Sequence, residues 1–127
     1  MATEDMAGTY TDSKGKKGQI IIDSYTGLVF TRYFDDTGAE HNIIDNKDFG
    51  ANRAALHQYL AIKAKYPTDH IELAEDGTKT TLHVDDNSAI EIEYDSNGDI
   101  KKITYLVDGM SLDSEDAYKA WIAAKAK

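Results

Sequence analysis

The sequence predicts an α+β fold: an antiparallel β-sheet, running as a meander and packed on a central helix, with a second amphipathic helix at the C-terminal end. Three observations lead there. Only Asp48 to Pro67 carries a long helical apolar stripe in the body of the chain, short β-rich runs flank it on both sides, and Gly-containing turns separate those runs. A length of 127 residues suits a single domain over 1–127, able to bury roughly two thirds of its unfolded surface.

Residues 1–18 are polar and Gly-rich and read as a flexible N-terminal arm. Lys14-Gly15-Lys16-Lys17-Gly18 lacks the spacing of a phosphate-binding loop, and it leads into the strand-like Gln19-Ile20-Ile21-Ile22 rather than a helix. The runs Gln19 to Asp23 and Leu28 to Phe34 form a hairpin around Ser24-Tyr25-Thr26-Gly27. Pairing Ile22 with Leu28 and Ile20 with Phe30 would put the large groups on one face. Asp36-Thr37-Gly38 then turns the chain into Glu40 to Ile44, whose register the side-chain pattern leaves open.

In the central helix Ala55, Tyr59, Ile62 and Tyr66 make one stripe, and Leu56 and Leu60 widen it. Asp48 is the expected N-cap, and Pro67 ends the helix by restricting Tyr66. Lys63 falls inside the apolar arc, where its stem can be buried while its ammonium reaches water and the negative helix end.

Two turns set the registers of the second half. Asn97-Gly98 places Ile92 opposite Ile103, Ile90 opposite Tyr105 and Glu93 opposite Lys102, so apolar meets apolar and acid meets base. Asp76-Gly77 pairs Ile71 with Leu82 and His70 with His83. A loop of two or four residues between Val84 and Ala89 would put His83 opposite Ile90, so an odd loop or a bulge is required there. The inner face is then Ile71, Leu73, Leu82, Val84, Ile90, Ile92, Ile103 and Tyr105. From Ser111 onward, acids fill a first turn and lysines a last, with Tyr118, Trp121 and Ile122 on one face of a terminal helix that packs on the domain or docks into a neighbouring subunit.

Composition excludes more than it assigns. There is no cysteine, which rules out disulfides and thiol chemistry. The first residues lack the apolar segment of a signal peptide and no run approaches a membrane span, so a soluble cytoplasmic protein is expected. The net charge of −9 is concentrated between His70 and Ile100, where nine carboxylates face one lysine, a local net of −8. That field disfavours nucleic acid and anionic membrane and favours a basic partner.

Chemical motifs are sparse. Asp95-Ser96-Asn97-Gly98-Asp99 begins like a calcium loop but has Ile100 and Leu106 where such a loop needs Gly and Glu. His70, Glu72 and His83, with Glu91 or Glu93 one strand over, are metal-ligand types, yet a solvated sheet face shows such residues anyway, so no metal and no cofactor is expected. No hydrolase elbow, zinc-protease helix motif or dinucleotide fingerprint is present. Size, acidity and lack of cysteine are typical of small inhibitors, immunity proteins and phage accessory proteins, a likeness of composition alone. The expectation is a non-enzymatic acidic module that inhibits or escorts a basic protein, such as a nucleic-acid-binding one, through Glu72, Glu75, Asp76, Asp85, Asp86, Glu91, Glu93 and Asp95. The alternatives are an assembly subunit of a phage or other homo-oligomer, and a small-molecule or metal-binding protein.

Overall fold

The computed structural model describes residues 4–125; residues 1–3 of the expected arm, and Ala126 and Lys127 of the expected terminal helix, lie outside the described residues. The chain divides into two compact units, Met1–Lys65 and Tyr66–Lys127. The first contains β1 (Glu4–Thr11), β2 (Lys17–Asp23), β3 (Val29–Phe34), β4 (Glu40–Ile44), β5 (Lys47–Asp48) and α1 (Arg53–Lys65). The second contains β6 (His70–Leu73), β7 (Lys79–Asp85), β8 (Ser88–Tyr94), β9 (Ile100–Val107), β10 (Met110–Leu112) and α2 (Glu115–Lys125). The α+β class therefore holds, with the strands forming two antiparallel sheets of five, each in sequence order. No helix among the described residues is long and apolar enough to cross a membrane.

Residues 4–18 depart from the flexible arm expected of them. β1 pairs along β2 from Glu4↔Asp23 to Thr11↔Lys17. The turn between them is closed by the Asp12 carboxylate, which accepts the Lys14 and Lys16 amides at 2.9 Å each. Gly18 leaves room for the Tyr10 ring, which would have to move to admit a Cβ there. A polar strand with little alternation leaves almost no period-2 signal, which is why composition alone reads as an arm.

The β2–β3 hairpin is also shifted by one residue from the expected pairing: Ile21 faces Phe30 and Ile22 faces Val29. Asp23 decides it. Its N–H bonds Leu28 O at 2.8 Å, and its carboxylate accepts Thr26 N at 3.1 Å and Thr26 Oγ1 at 2.6 Å, which makes the loop four residues long. A one-residue slip exchanges the faces of a strand. Ile21, Phe30 and Ile44 consequently form the buried side of this sheet, together with the polar Asp23, Arg32 and Asn42.

The helix begins later than expected. Asn52 Oδ1 accepts the Ala55 N–H at 3.1 Å, so Asn52 is the N-cap. Asp48 lies in β5 and accepts Gly50 N at 2.7 Å instead. Ala55, Leu56, Tyr59 and Leu60 are buried, Tyr59 against Phe49 with ring centres 5.5 Å apart. Lys63 reaches Asp45 at 2.9 Å, and Tyr59 donates to the same carboxylate at 2.7 Å.

The second sheet has the expected registers: His70↔His83, Ile71↔Leu82, Ile90↔Tyr105, Ile92↔Ile103 and Glu93↔Lys102. The required irregularity falls between His83 and Asp85, where a bulge at Val84 restores the faces. Leu82, Ile90, Ile92 and Tyr105 are buried, whereas Ile71, Leu73, Val84 and Ile103 are half-buried. Ser114 caps α2, its Oγ accepting the Ala117 N–H at 3.3 Å, and Tyr118 stacks on Tyr105 with centres 4.9 Å apart. Trp121, half-buried, donates from Nε1 to Asp108 at 3.1 Å, and Lys125 reaches the same carboxylate at 3.2 Å.

The two units thus repeat one device. In each, an Asp with positive φ opens the last turn of the sheet (Asp45, 52°; Asp108, 48°). An aromatic residue of the following helix and the lysine four positions on both bind that Asp: Tyr59 and Lys63 in one unit, Trp121 and Lys125 in the other.

Candidate functional site

The exposed face of the second sheet is set by strand alternation: His70 and Glu72 on β6, Lys79, Thr81 and His83 on β7, Glu91 and Glu93 on β8, and Lys102 and Thr104 on β9. Of the acids expected to bind a partner, Glu72 stands beside His70 and His83, and the other seven divide into two groups on this face and around it. Glu91 and Glu93 stand among lysines, with Glu93 paired across to Lys79 on one side and Lys102 on the other, and Lys79 Nζ 3.7 Å from Glu91. Their charge is largely offset. Glu75, Asp76, Asp85, Asp86 and Asp95 sit in or beside the hairpin turns, exposed.

Three of those turn residues have structural work. Asp76 accepts the Thr78 hydroxyl at 2.6 Å and its amide at 3.0 Å, Asp85 accepts Asn87 N at 2.8 Å and Ser88 Oγ at 3.0 Å, and Asp95 accepts Asn97 N at 2.8 Å and Asp99 N at 3.1 Å. Donors aimed at a carboxylate favour its charged form. The Thr78 hydroxyl lowers the pKa of Asp76, and the Asn87 amide lowers that of Asp85. The calcium-like string at Asp95 is accordingly a hairpin turn, with Gly98 at φ 83°.

At one end of this sheet two shallow depressions adjoin, sharing Asp85 and Asp86. The first, about 410 Å³, is bounded by Pro67, Asp69, Val84 and those two acids. The second, about 250 Å³, runs past His83 and Ala89 to Asp108. Asp69 was not among the acids singled out by sequence; the bond from its N–H to His83 O at 2.7 Å brings it beside the bulge. Of the four carboxylates around these depressions, Asp108 has Lys125 at 3.2 Å, Asp85 feels the same lysine at longer range, and Asp69 has the His70 ring 3.9 Å away.

His70 and His83 lie face to face, ring centres 4.1 Å apart and planes 6° from parallel. Glu72 Oε1 is 3.0 Å from His83 Nε2 and 3.6 Å from His70 Nε2. His83 Nε2 is enclosed and, although Glu72 is within ion-pair distance, makes no hydrogen bond. Among the described residues this is the one His/Asp/Glu group with metal-ligand proximity.

The first unit holds a charged network that sequence reasoning missed. Arg32, 7% exposed, donates Nε to Asn42 Oδ1 at 2.6 Å and Nη2 to both Glu4 oxygens at 3.1 Å. Arg53 donates to both oxygens of Glu40 at 2.7 Å, and His57 Nε2 is 3.1 Å from Glu4. The Arg53 bonds hold Glu40 down at about 2, against its desolvation. Nothing in local spacing announces this, because Glu4 and His57 are 53 residues apart. The pairing of Arg32, Glu4, Glu40 and Arg53 with one another suits a structural role, since an unpaired buried charge would cost on the order of 3 to 5 kcal/mol. Comparison with protein-family models, curated proteins and solved structures finds no match for this chain.

Proposed function

We propose that the chain is a non-enzymatic acidic module that binds a basic protein through the turn end of its second unit. The observation that carries this reading is the ring of Asp69, Asp85, Asp86 and Asp108 around two adjoining depressions, each large enough for a lysine or arginine side chain. Turn hydrogen bonds hold Asp85 in place as well as in its charged form, so little ordering would be needed on binding. The working surface proposed here keeps Asp85 and Asp86 of the eight acids, adds Asp69 and Asp108, and leaves out Glu91 and Glu93, which already have lysine neighbours. Inhibition or escort of a nucleic-acid-binding protein fits such a surface, which would compete with phosphate for the same basic groups.

The test is capture of a partner from the native host, followed by association rates of the purified pair at two ionic strengths. Asp69→Asn combined with Asp86→Asn removes charge without touching the bonds that close the turn at Asp85. Slower association with a shallower salt dependence is expected. An unchanged rate would leave these acids as solubilising groups.

A further inference from the structure

The histidine pair on the exposed face of the second sheet has a geometry that solvation alone does not require. We infer that His70, Glu72 and His83 form a binding site for a borderline divalent transition ion of the zinc class. Residue types on an open sheet face argue weakly for a metal; their arrangement argues more strongly. His70 and His83 are directly paired across β6 and β7, and Glu72 is two residues along from His70, hence on the same face. Zn–N bonds of about 2.0 Å at tetrahedral angles place ligand atoms about 3.3 Å apart. Glu72 Oε1 lies 3.0 and 3.6 Å from the two Nε2 atoms, and all three donors fall within 4.8 Å of one another.

A second observation points the same way. His83 Nε2 is enclosed and without a hydrogen-bond partner, although it faces a carboxylate. An enclosed ring nitrogen without a partner is costly, and a metal ion in front of it would remove that cost. His70 and Glu72 are more than half exposed, so their side chains can turn toward a shared ion and leave further positions to water or to a partner's side chain. Asp69 Oδ2 stands 3.9 Å from the other nitrogen of His70, where a carboxylate can orient a ligating imidazole. Two nitrogens and one oxygen favour zinc-like ions over calcium or magnesium, which take oxygen ligands. The acidic docking surface adjoins this site at Asp69 and His83, but the inference does not rest on it: an ion would bridge β6 to β7 whether or not a protein binds nearby.

The probe is zinc chloride titrated into the whole protein by calorimetry, at pH 7.5 and again at pH 5.5. One equivalent should bind at micromolar concentration, and affinity should fall by about tenfold or more in His83→Ala, His70→Ala and Glu72→Gln, while His41→Gln leaves it unchanged. The pH arm separates imidazole ligation from adventitious binding to carboxylates. Imidazoles protonate near pH 6.5 and carboxylates near pH 4, so a histidine site is lost at pH 5.5 whereas a carboxylate site persists. Imidazole resonances of His70 and His83 that shift together on zinc addition would corroborate the site without relying on variants. Absence of saturable binding, or binding that survives both His83→Ala and pH 5.5, would overturn it.

Discussion

His41 is held between two carboxylates, Nε2 at 2.8 Å from Asp35 and Nδ1 at 2.8 Å from Asp48, with the Tyr33 ring stacked 4.6 Å away. The bond to Asp35, then that to Asp48, raises its pKa above the ordinary value of 6.5. A raised folded-state pKa stabilises the fold at pH below the unfolded pKa, and that contribution disappears as the pH climbs through the folded value. His41→Gln should therefore destabilise the protein more at pH 5.5 than at pH 9, as urea midpoints would show. Equal loss at both would mean that the imidazole acts by packing on Tyr33. Such a sandwich cannot be read from spacing. His41 has no partner identifiable along the sequence, because β4 and β5 must form before Asp48 comes within reach.

Among the elements, legibility followed the turns. In the second unit the apolar residues alternate cleanly, so a turn guess could be checked against three cross-strand pairs at once, and the register survived even though Ala74 N–H to Lys79 O makes the Asp76-Gly77 loop four residues rather than two. In the first unit the buried face carries Asp23, Arg32 and Asn42, which erases the alternation and let the wrong register look better. The paired Asp devices offer an element-scale test. Replacing Asp45 or Asp108 by Gly keeps positive φ unstrained, so the measured change reports the lost bonds. Asp45→Gly removes the acceptor of Tyr59, which is fully buried, and should cost about 1 to 3 kcal/mol. Asp108→Gly, at a more exposed contact, should cost less than about 1 kcal/mol. Equal costs would show that burial of the aromatic partner is irrelevant to the bond.

For the whole molecule, the concentration of acid between His70 and Ile100 was plain in the sequence, but its division was not. Backbone turns absorb Asp76, Asp85 and Asp95, lysines offset Glu91 and Glu93, and Asp69 joins Asp85 and Asp86 at one end. Sequence order in both sheets has a kinetic consequence. Among the described residues no strand waits for a distant segment, because each bonds only to its immediate neighbours in the chain. The entropy of closing a loop grows with the length enclosed, and chains of low contact order cross the folding barrier quickly. Stopped-flow refolding should thus be complete within tens of milliseconds, on the order expected for hairpin-dominated chains rather than for sandwiches with remote pairings. Trp121, the sole tryptophan, lies in the second unit, so its fluorescence can be compared with far-ultraviolet dichroism, to which both units contribute. A dominant refolding phase lasting seconds in both signals, rather than the minor one that the Tyr66–Pro67 bond of unfolded chains can give, would contradict the link between neighbour-only pairing and speed.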